Sequence, residues 1–276
     1  MGAQIKGSLT NKRYRVASVF IDHFSDLSVV FPQDDNTSAK LIKAKVAFEK
    51  FANSCGVSVV HYHVDNGRFA DNAFIEDAKE QRQSISYCGV NAHHQNGKAE
   101  KRIRDLHVQG RSIHQWRDVA APQLWPYAII LANEVINLTP RSKDEAVPIS
   151  LFAKSNHPPR LETLHPFGCP AYMLENALQQ GNKIGKWENR SGIRMFLGPS
   201  PTHARSVHLI LSSKTGLVSP QFHVEFDVFY GSTRWDKFML KSEWQYKARI
   251  LRESPSTTLD LDIDTITRML WNKQIN

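Results

Sequence analysis

Residues 57 to 106, VSVVHYHVDNGRFADNAFIEDAKEQRQSISYCGVNAHHQNGKAEKRIRDL, restrict the possible folds more than any other stretch of the chain. The apolar run Val57 to Val64 stops at Asp65-Asn66-Gly67, which predicts a strand with a carboxylate at its tip. Gln95-Asn96-Gly97 then opens a stretch of helical period, with Glu100 in the first turn. The two carboxylates stand 100 − 65 = 35 residues apart, so they meet only in a fold that returns the helix to the strand end. Convergence of that kind suits a hard divalent cation, since Mg²⁺ takes oxygen ligands, often one or two carboxylates beside substrate phosphates. Each half also has a plainer reading. Asp-Asn-Gly makes a turn wherever positive φ is needed, and a first-turn Glu complements the helix dipole.

The helix itself carries two stripes. Ile103, Leu106, Gly110 and Ile113 recur at 3, 4 and 3, predicting the buried face. Beside them Glu100, Arg104, His107 and Arg111 recur at 4, 3 and 4. A carboxylate followed by three potentially cationic groups is the arrangement needed where a metal–phosphate site continues into a DNA track. A solvated charged face would have the same spacing.

The rest of the chain predicts an α/β protein in two parts. Tyr14 to Phe31 reads as a β-hairpin turning at His23 to Asp26, with Asp22 as a strand-end turn residue. A helix follows over 37 to 54, with Thr37 or Ser38 as cap and Leu41, Ala44, Phe48 and Phe51 inward. Its lysines 40, 43, 45 and 50 fall on the other faces, and Gly56 ends it. Asp71 or Asn72 caps a short helix with Phe74, Ile75 and Ala78 inward, and Ser84 to Cys88 is a brief strand. Pro122 starts an apolar helix that ends near Thr139-Pro140, and Pro148 to Ala153 forms a last short one. After Asn156-His157-Pro158-Pro159 the texture changes to short strands between Gly, Pro and Ser turns, which predicts a small antiparallel barrel or sheet. The expected division is therefore 1–155, 156–230, and a tail over 231–276 with a helix near Ile263 to Trp271.

Net charge is +8, which favours a polyanionic partner, and residues 181 to 214 hold six Lys or Arg against Glu188. The three widely spaced cysteines predict reduced thiols and an intracellular protein. No Cys/His set at finger-like spacing accompanies the pairs His61/His63 and His93/His94, so no zinc site is expected. No apolar run is long enough to predict a membrane span.

VDNGRF followed at this distance by HHQNGKAEKRIRDL resembles the second and third carboxylate motifs of the Asp-Asp-Glu integrase core, in its copia-type retrotransposon form. FGCPAY, RSGIRMFLG and TGLVSP resemble the region that follows that core. The resemblance covers roughly residues 8 to 230 and implies a ribonuclease-H-like mixed sheet flanked by helices, followed by a small β-rich domain. It implies Asp65 and Glu100 as catalytic, metal-holding residues, with Mg²⁺ or Mn²⁺ as cofactor. His94, Gln95, Arg104, His107 and Arg111 would contact DNA. The implied reaction is end processing and strand transfer, with DNA ends and target DNA as partners, a homo-oligomer as the working form, and the nucleus as the place.

The family's third carboxylate, its first Asp, lies on a strand before the one that ends here in Asp22. Residues 1 to 13 contain no Asp or Glu and resemble the connection after that strand, so the chain reads as amino-terminally truncated. Val16 to Ile21 and Val57 to Val64 would then flank the place of the first strand, with residues 2 to 10 as its only substitute. Two functions fit: an integrase core, inactive as it stands, or a non-catalytic DNA-binding remnant.

Overall fold

The computed structural model describes residues 14–65, 67–89, 96–115, 124–157, 159, 161–212 and 215–231. The expectations for residues 2 to 10, for His93, His94, Gln95 and Pro122, and for the tail lie outside these residues.

Strand β1 (Val16–Ile21) pairs antiparallel with β2 (Ser28–Gln33), as the hairpin pattern predicted. The turn between them is closed by Asp22, whose Oδ2 accepts hydrogen bonds from the Ser25 amide and hydroxyl, both 2.6 Å. Helix α1 (Ser38–Ser54) follows. Thr37 holds the N-cap position, but its hydroxyl donates to Asp35 Oδ1 at 2.6 Å rather than serving the helix. At the other end Gly56 takes φ +73, which lets Gly56 N reach Asn53 O at 3.0 Å and Val57 N reach Ala52 O at 2.9 Å. A β-carbon disfavours that left-handed geometry, which is why glycine stops the helix.

Strand β3 is shorter than the apolar run, His61–Val64, and pairs parallel with β4 (Ser84–Tyr87) across helix α2 (Asn72–Glu80). Asp71 caps α2 by accepting from Ala73 N at 2.9 Å, and Phe74 and Ala78 are buried beneath it. The hairpin and the parallel pair are two separate two-stranded sheets. They close over one core all the same: Phe20 of β1 stacks on Phe48 of α1 at 5.1 Å and meets Tyr62 of β3 edge-on at 6.3 Å.

Helix α3 (Gly97–Gln115) packs along α4 (Trp125–Leu138), and α5 (Pro148–Phe152) lies over α1, with Phe152 stacked on Phe51 at 5.9 Å. Apolar on most of its surface, α4 fills two cores at once. Ile129 and Ala132 join Leu106 of α3 and Val30 of β2, while Leu124, Tyr127, Ala128 and Leu131 join the carboxy-terminal sheet.

That sheet runs β8-β7-β6-β5-β9 and is antiparallel throughout its pairings: β5 (Pro170–Leu174), β6 (Ser191–Pro199), β7 (His208–Leu211), β8 (Val218–Gln221) and β9 (Val224–Phe226). Its two edge strands, β8 and β9, are joined by only Phe222 and His223. A link that short spans on the order of 10 Å, so the sheet must curl until its edges approach. The bulge between Phe196 and Gly198 provides a bend in the middle strand. Helix α6 (Asn176–Gln179) lies at the seam, where Gln179 Nε2 donates to Leu174 O at 2.8 Å.

Three burial expectations are corrected. Lys45, placed by its spacing on a solvent face, has no exposure at all (0%). Ile103, placed in the buried stripe of α3, is 40% exposed, and Arg102 at 8% takes that position beside Leu106 and Gly110. Arg194, counted among the surface cations of 181 to 214, is buried, with Nη1 donating to Ile193 O at 3.0 Å and Nη2 lying 3.7 Å from Glu175 Oε1. In each case a neighbouring acceptor compensates the charge. No helix among the described residues is long and apolar enough to cross a membrane.

Candidate metal and nucleic-acid site

Asp65 follows β3 directly because alternation along the strand sends Tyr62 and Val64 inward and leaves His61, His63 and Asp65 facing solvent. Its carboxylate turns back on the loop, with Oδ1 accepting from Gly67 N at 3.3 Å. A side chain at Gly67 would stand 3.3 Å from that same oxygen, so the glycine leaves room for the carboxylate and for whatever approaches it.

Glu100 faces solvent in the first turn of α3, where the unpaired amides of a helix end favour negative charge. Arg104, His107 and Arg111 are exposed along the same helix, as the second stripe predicted. The helix therefore aligns these four side chains by itself, while Asp65 stands on a different element. Among the described residues there is no cluster of three or more His, Cys, Asp or Glu suited to a metal ion. The donor chemistry of Asp65 and Glu100, exposed carboxylate oxygens, fits Mg²⁺ completed by substrate phosphates.

What fixes α3 in place is a polar knot that sequence spacing did not reveal. Asp26, at φ +65 in the β1–β2 turn, receives Lys98 Nζ at 2.6 Å and Arg141 Nη1 and Lys143 Nζ at 3.0 Å each. Arg102 adds hydrogen bonds from Nη2 to Asp26 O at 2.9 Å and from Nη1 to Ser28 Oγ at 3.0 Å. Behind it, Asn133 and Asn137 of α4 clamp Ser28. Asn133 Nδ2 donates to Ser28 O at 2.9 Å, Asn137 Nδ2 to the same oxygen at 2.7 Å, and Ser28 N to Asn137 Oδ1 at 3.0 Å. The start of α3, two residues from Glu100, is thus tied through Lys98 to the hairpin and the end of α4. The only sequence signal was the pair of asparagines one turn apart in a helix whose one charged residue is Glu134.

Burial pushes the Asp26 carboxyl up, but the bonds from Lys98, Lys143 and Arg141 outweigh it and hold the group at about 2, below its ordinary 3.8. A depressed carboxylate stabilises the fold above its unfolded value, and that contribution disappears as pH falls from about 4 through about 2. Discounted for solvent screening, Asp26→Asn is therefore expected to cost about 1 kcal/mol at pH 7 and far less at pH 1.5. Urea midpoints of the two proteins at both pH values measure this.

On the exposed face of β3 and β4 the histidines pair with serines. His61 meets Ser84 Oγ at 2.7 Å and Ser86 Oγ at 2.9 Å, and His63 Nδ1 meets Ser86 Oγ at 2.8 Å. Hydroxyls thus occupy both nitrogens of His61 and Nδ1 of His63, while His63 Nε2 lies 3.6 Å from Cys88 Sγ.

No family model matches the chain. It is 29% identical over 227 residues to the retrovirus-related Pol polyprotein from transposon RE2 of Arabidopsis thaliana, covering 80% of this chain and 14% of that protein. The corresponding polyprotein from transposon RE1 is 26% identical over 224 residues, with 79% and 14% covered. The chain thus spans about a seventh of the length of these relatives. Among solved structures, the simian T-cell lymphotropic virus intasome in complex with PP2A regulatory subunit B56 gamma matches with TM-score 0.45 and 17% identity, covering 80% of this chain and 79% of the other. The HTLV-2 integrase catalytic core domain in complex with magnesium, in its trimeric form, matches with TM-score 0.40 and 20% identity over 51% and 86%. Over four-fifths of its length, then, this α/β chain is similar to a short segment of the retrovirus-related Pol polyproteins of plant retrotransposons, the kin to which its motifs pointed.

Proposed function

We propose that this chain is the core of a DNA-integrating enzyme, in which Asp65 and Glu100 hold a divalent cation against a phosphodiester. The observation that carries the proposal is the solvent-facing stripe Glu100, Arg104, His107 and Arg111 on α3, in a chain that also presents Asp65 at a strand tip. Mg²⁺ or Mn²⁺, held by Asp65 and Glu100, would supply positive charge to offset that of the phosphate. In the first transfer a water oxygen attacks phosphorus and the 3′-oxygen of the DNA end leaves, taking a proton. In the second, that 3′-hydroxyl gives up its proton and attacks a target phosphodiester, and the target's own 3′-oxygen leaves, taking a proton. Arg104 and Arg111 offer charge-assisted hydrogen bonds to flanking phosphates, which fix the position of the DNA without reading its sequence.

Two carboxylates make an incomplete clamp. Asp22, the nearest candidate in sequence for a third, is engaged by Ser25 through two hydrogen bonds. We therefore expect the 276-residue chain to give no strand-transfer product with Mg²⁺ or Mn²⁺. A version given an Asp-bearing first strand at its amino terminus is expected to be active, and to lose that activity on Asp65→Asn or Glu100→Gln. Strong activity from the shorter chain, abolished by Asp22→Asn, would show that Asp22 completes the site. A second reading, a remnant that binds DNA without catalysis, is favoured by the lack of a three-carboxylate cluster among the described residues. Inactivity of the extended protein together with salt-sensitive DNA binding would select it.

A further inference from the structure

The connection from α6 to β6, residues 180 to 190 (QGNKIGKWENR), presents the most exposed large apolar side chain among the described residues: Trp187 is 92% exposed. Its backbone is held by local bonds. Glu188 N donates to Gly185 O at 3.1 Å and Gly185 N donates to Glu188 Oε2 at 3.2 Å, which closes a turn with Lys186 and Trp187 at its two central positions. Below the turn, Glu175 N donates to Arg190 O at 2.9 Å and Asn182 N to Ala177 O at 2.9 Å, so both arms are fastened to the sheet and to α6.

Lys186 Nζ sits over the Trp187 ring, 5.8 Å from its centroid. Lys183 and Arg190 flank it, both exposed, and among the described residues neither they nor Lys186 make an ion pair. The one acidic group of the turn, Glu188, already receives the Gly185 amide. An indole ring held out in water, with one cation over its face and two more flanking it in the chain, matches what an unpaired nucleotide offers: a flat base to stack and a phosphate to neutralise. A duplex hides its base faces and offers only the phosphates.

We propose that the turn at residues 183 to 190 is a single-strand nucleic-acid contact, in which Trp187 stacks an unpaired base while Lys183, Lys186 and Arg190 meet the backbone. This contact lies outside the stripe on α3 and does not depend on the reading of Asp65 and Glu100.

The test is fluorescence anisotropy of the whole chain with labelled oligo-dT and oligo-rU of about 15 nucleotides, and with a duplex of equal length. Trp187→Ala is expected to weaken single-strand binding about 5- to 150-fold. The same variant should leave duplex binding and the salt slope unchanged, because a stacked base releases no counterion. Trp187→Phe should retain most of the affinity, while Lys186→Gln should lower the single-strand salt slope by about 0.7. Glu80→Asp, an exposed and charge-conserving change on α2, serves as the control and is expected to change none of these quantities. Unchanged single-strand affinity in Trp187→Ala, an equal loss on the duplex, or no binding of the parent chain at low salt overturns the proposal. Equal losses with dT and rU assign the contact to single strands of either sugar; a loss on one alone assigns it to that one.

Discussion

Alanine at Lys45 is expected to destabilise the chain by about 3–5 kcal/mol, the usual cost of breaking a buried ion pair from one side. Lys45 Nζ lies 2.9 Å from Glu49 Oε1 and 2.7 Å from Asp77 Oδ2, with its side chain fully enclosed between α1 and α2. Those contacts are short enough for strong attraction yet off the directions of hydrogen bonds. The ammonium also lies 5.6 Å from the centre of the Tyr62 ring. Tyr62 donates its hydroxyl to Glu49 Oε1 at 2.8 Å, and Gln83 Nε2 donates to the same oxygen at 2.7 Å. Burial pushes the Glu49 carboxyl up, but the hydrogen bond from Gln83, the charge of Lys45 and the hydrogen bond from Tyr62 hold it below the usual carboxylate range. Removing the cation leaves two partly buried carboxylates facing each other without compensation. Typical domains are stable by roughly 5–15 kcal/mol, so such a loss is a large part of the total. Equilibrium urea unfolding measures the effect. Lys45→Met combined with Glu49→Gln and Asp77→Asn should recover most of the stability, since the charges then leave together. Failure of that triple variant to exceed Lys45→Ala would mean that packing, and not charge, is what Lys45 supplies.

Acidification from pH 7 to pH 4 is expected to cost the curled sheet on the order of 3 kcal/mol through His208 alone. Its ring lies within the sheet's core, edge-on to Phe196 at 5.6 Å and to Phe226 at 5.0 Å, and 5.4 Å from His165. Nδ1 is buried with no hydrogen-bond partner among the described residues. Burial, helped by the neighbouring His165, lowers the His208 pKa from 6.5 to about 4. The sign follows from proton counting: between about pH 6.5 and pH 4 the unfolded chain binds the proton and the folded chain refuses it. Stability is therefore complete above the unfolded value, falls through that window, and is level below it. His208→Phe should flatten the dependence between pH 7 and pH 4 without changing the drop below pH 4 that belongs to Asp26. Parallel curves for parent and variant would show that His208 accommodates its proton inside the fold.

Much of the backbone was legible in the residues themselves. β-Branched and aromatic residues in Val16 to Ile21 and Leu27 to Phe31 pointed to the hairpin, Gly56 to the end of α1, Asp71 to the start of α2, and Asn96-Gly97 to the start of α3. These features depend on neighbours a few residues away, where φ, capping and period act. The exposed stripe from Glu100 to Arg111 was legible for the same reason, because a helix places such residues on one side whatever surrounds it.

The tertiary structure alone decided which polar groups lie inside. Lys45 is buried because α2 carries Asp77 onto the back of α1, and Arg102 displaces Ile103 because the hairpin presents Asp26 O and Ser28 Oγ at that point. Asn137 is buried because Ser28, 109 residues earlier, supplies an amide and a carbonyl in the required geometry. A charged or amide side chain goes inside only where partners repay its lost hydration. Those partners come from remote segments, so periodicity, which registers only local order, assigned the buried face of each helix by hydrophobicity and could not see them.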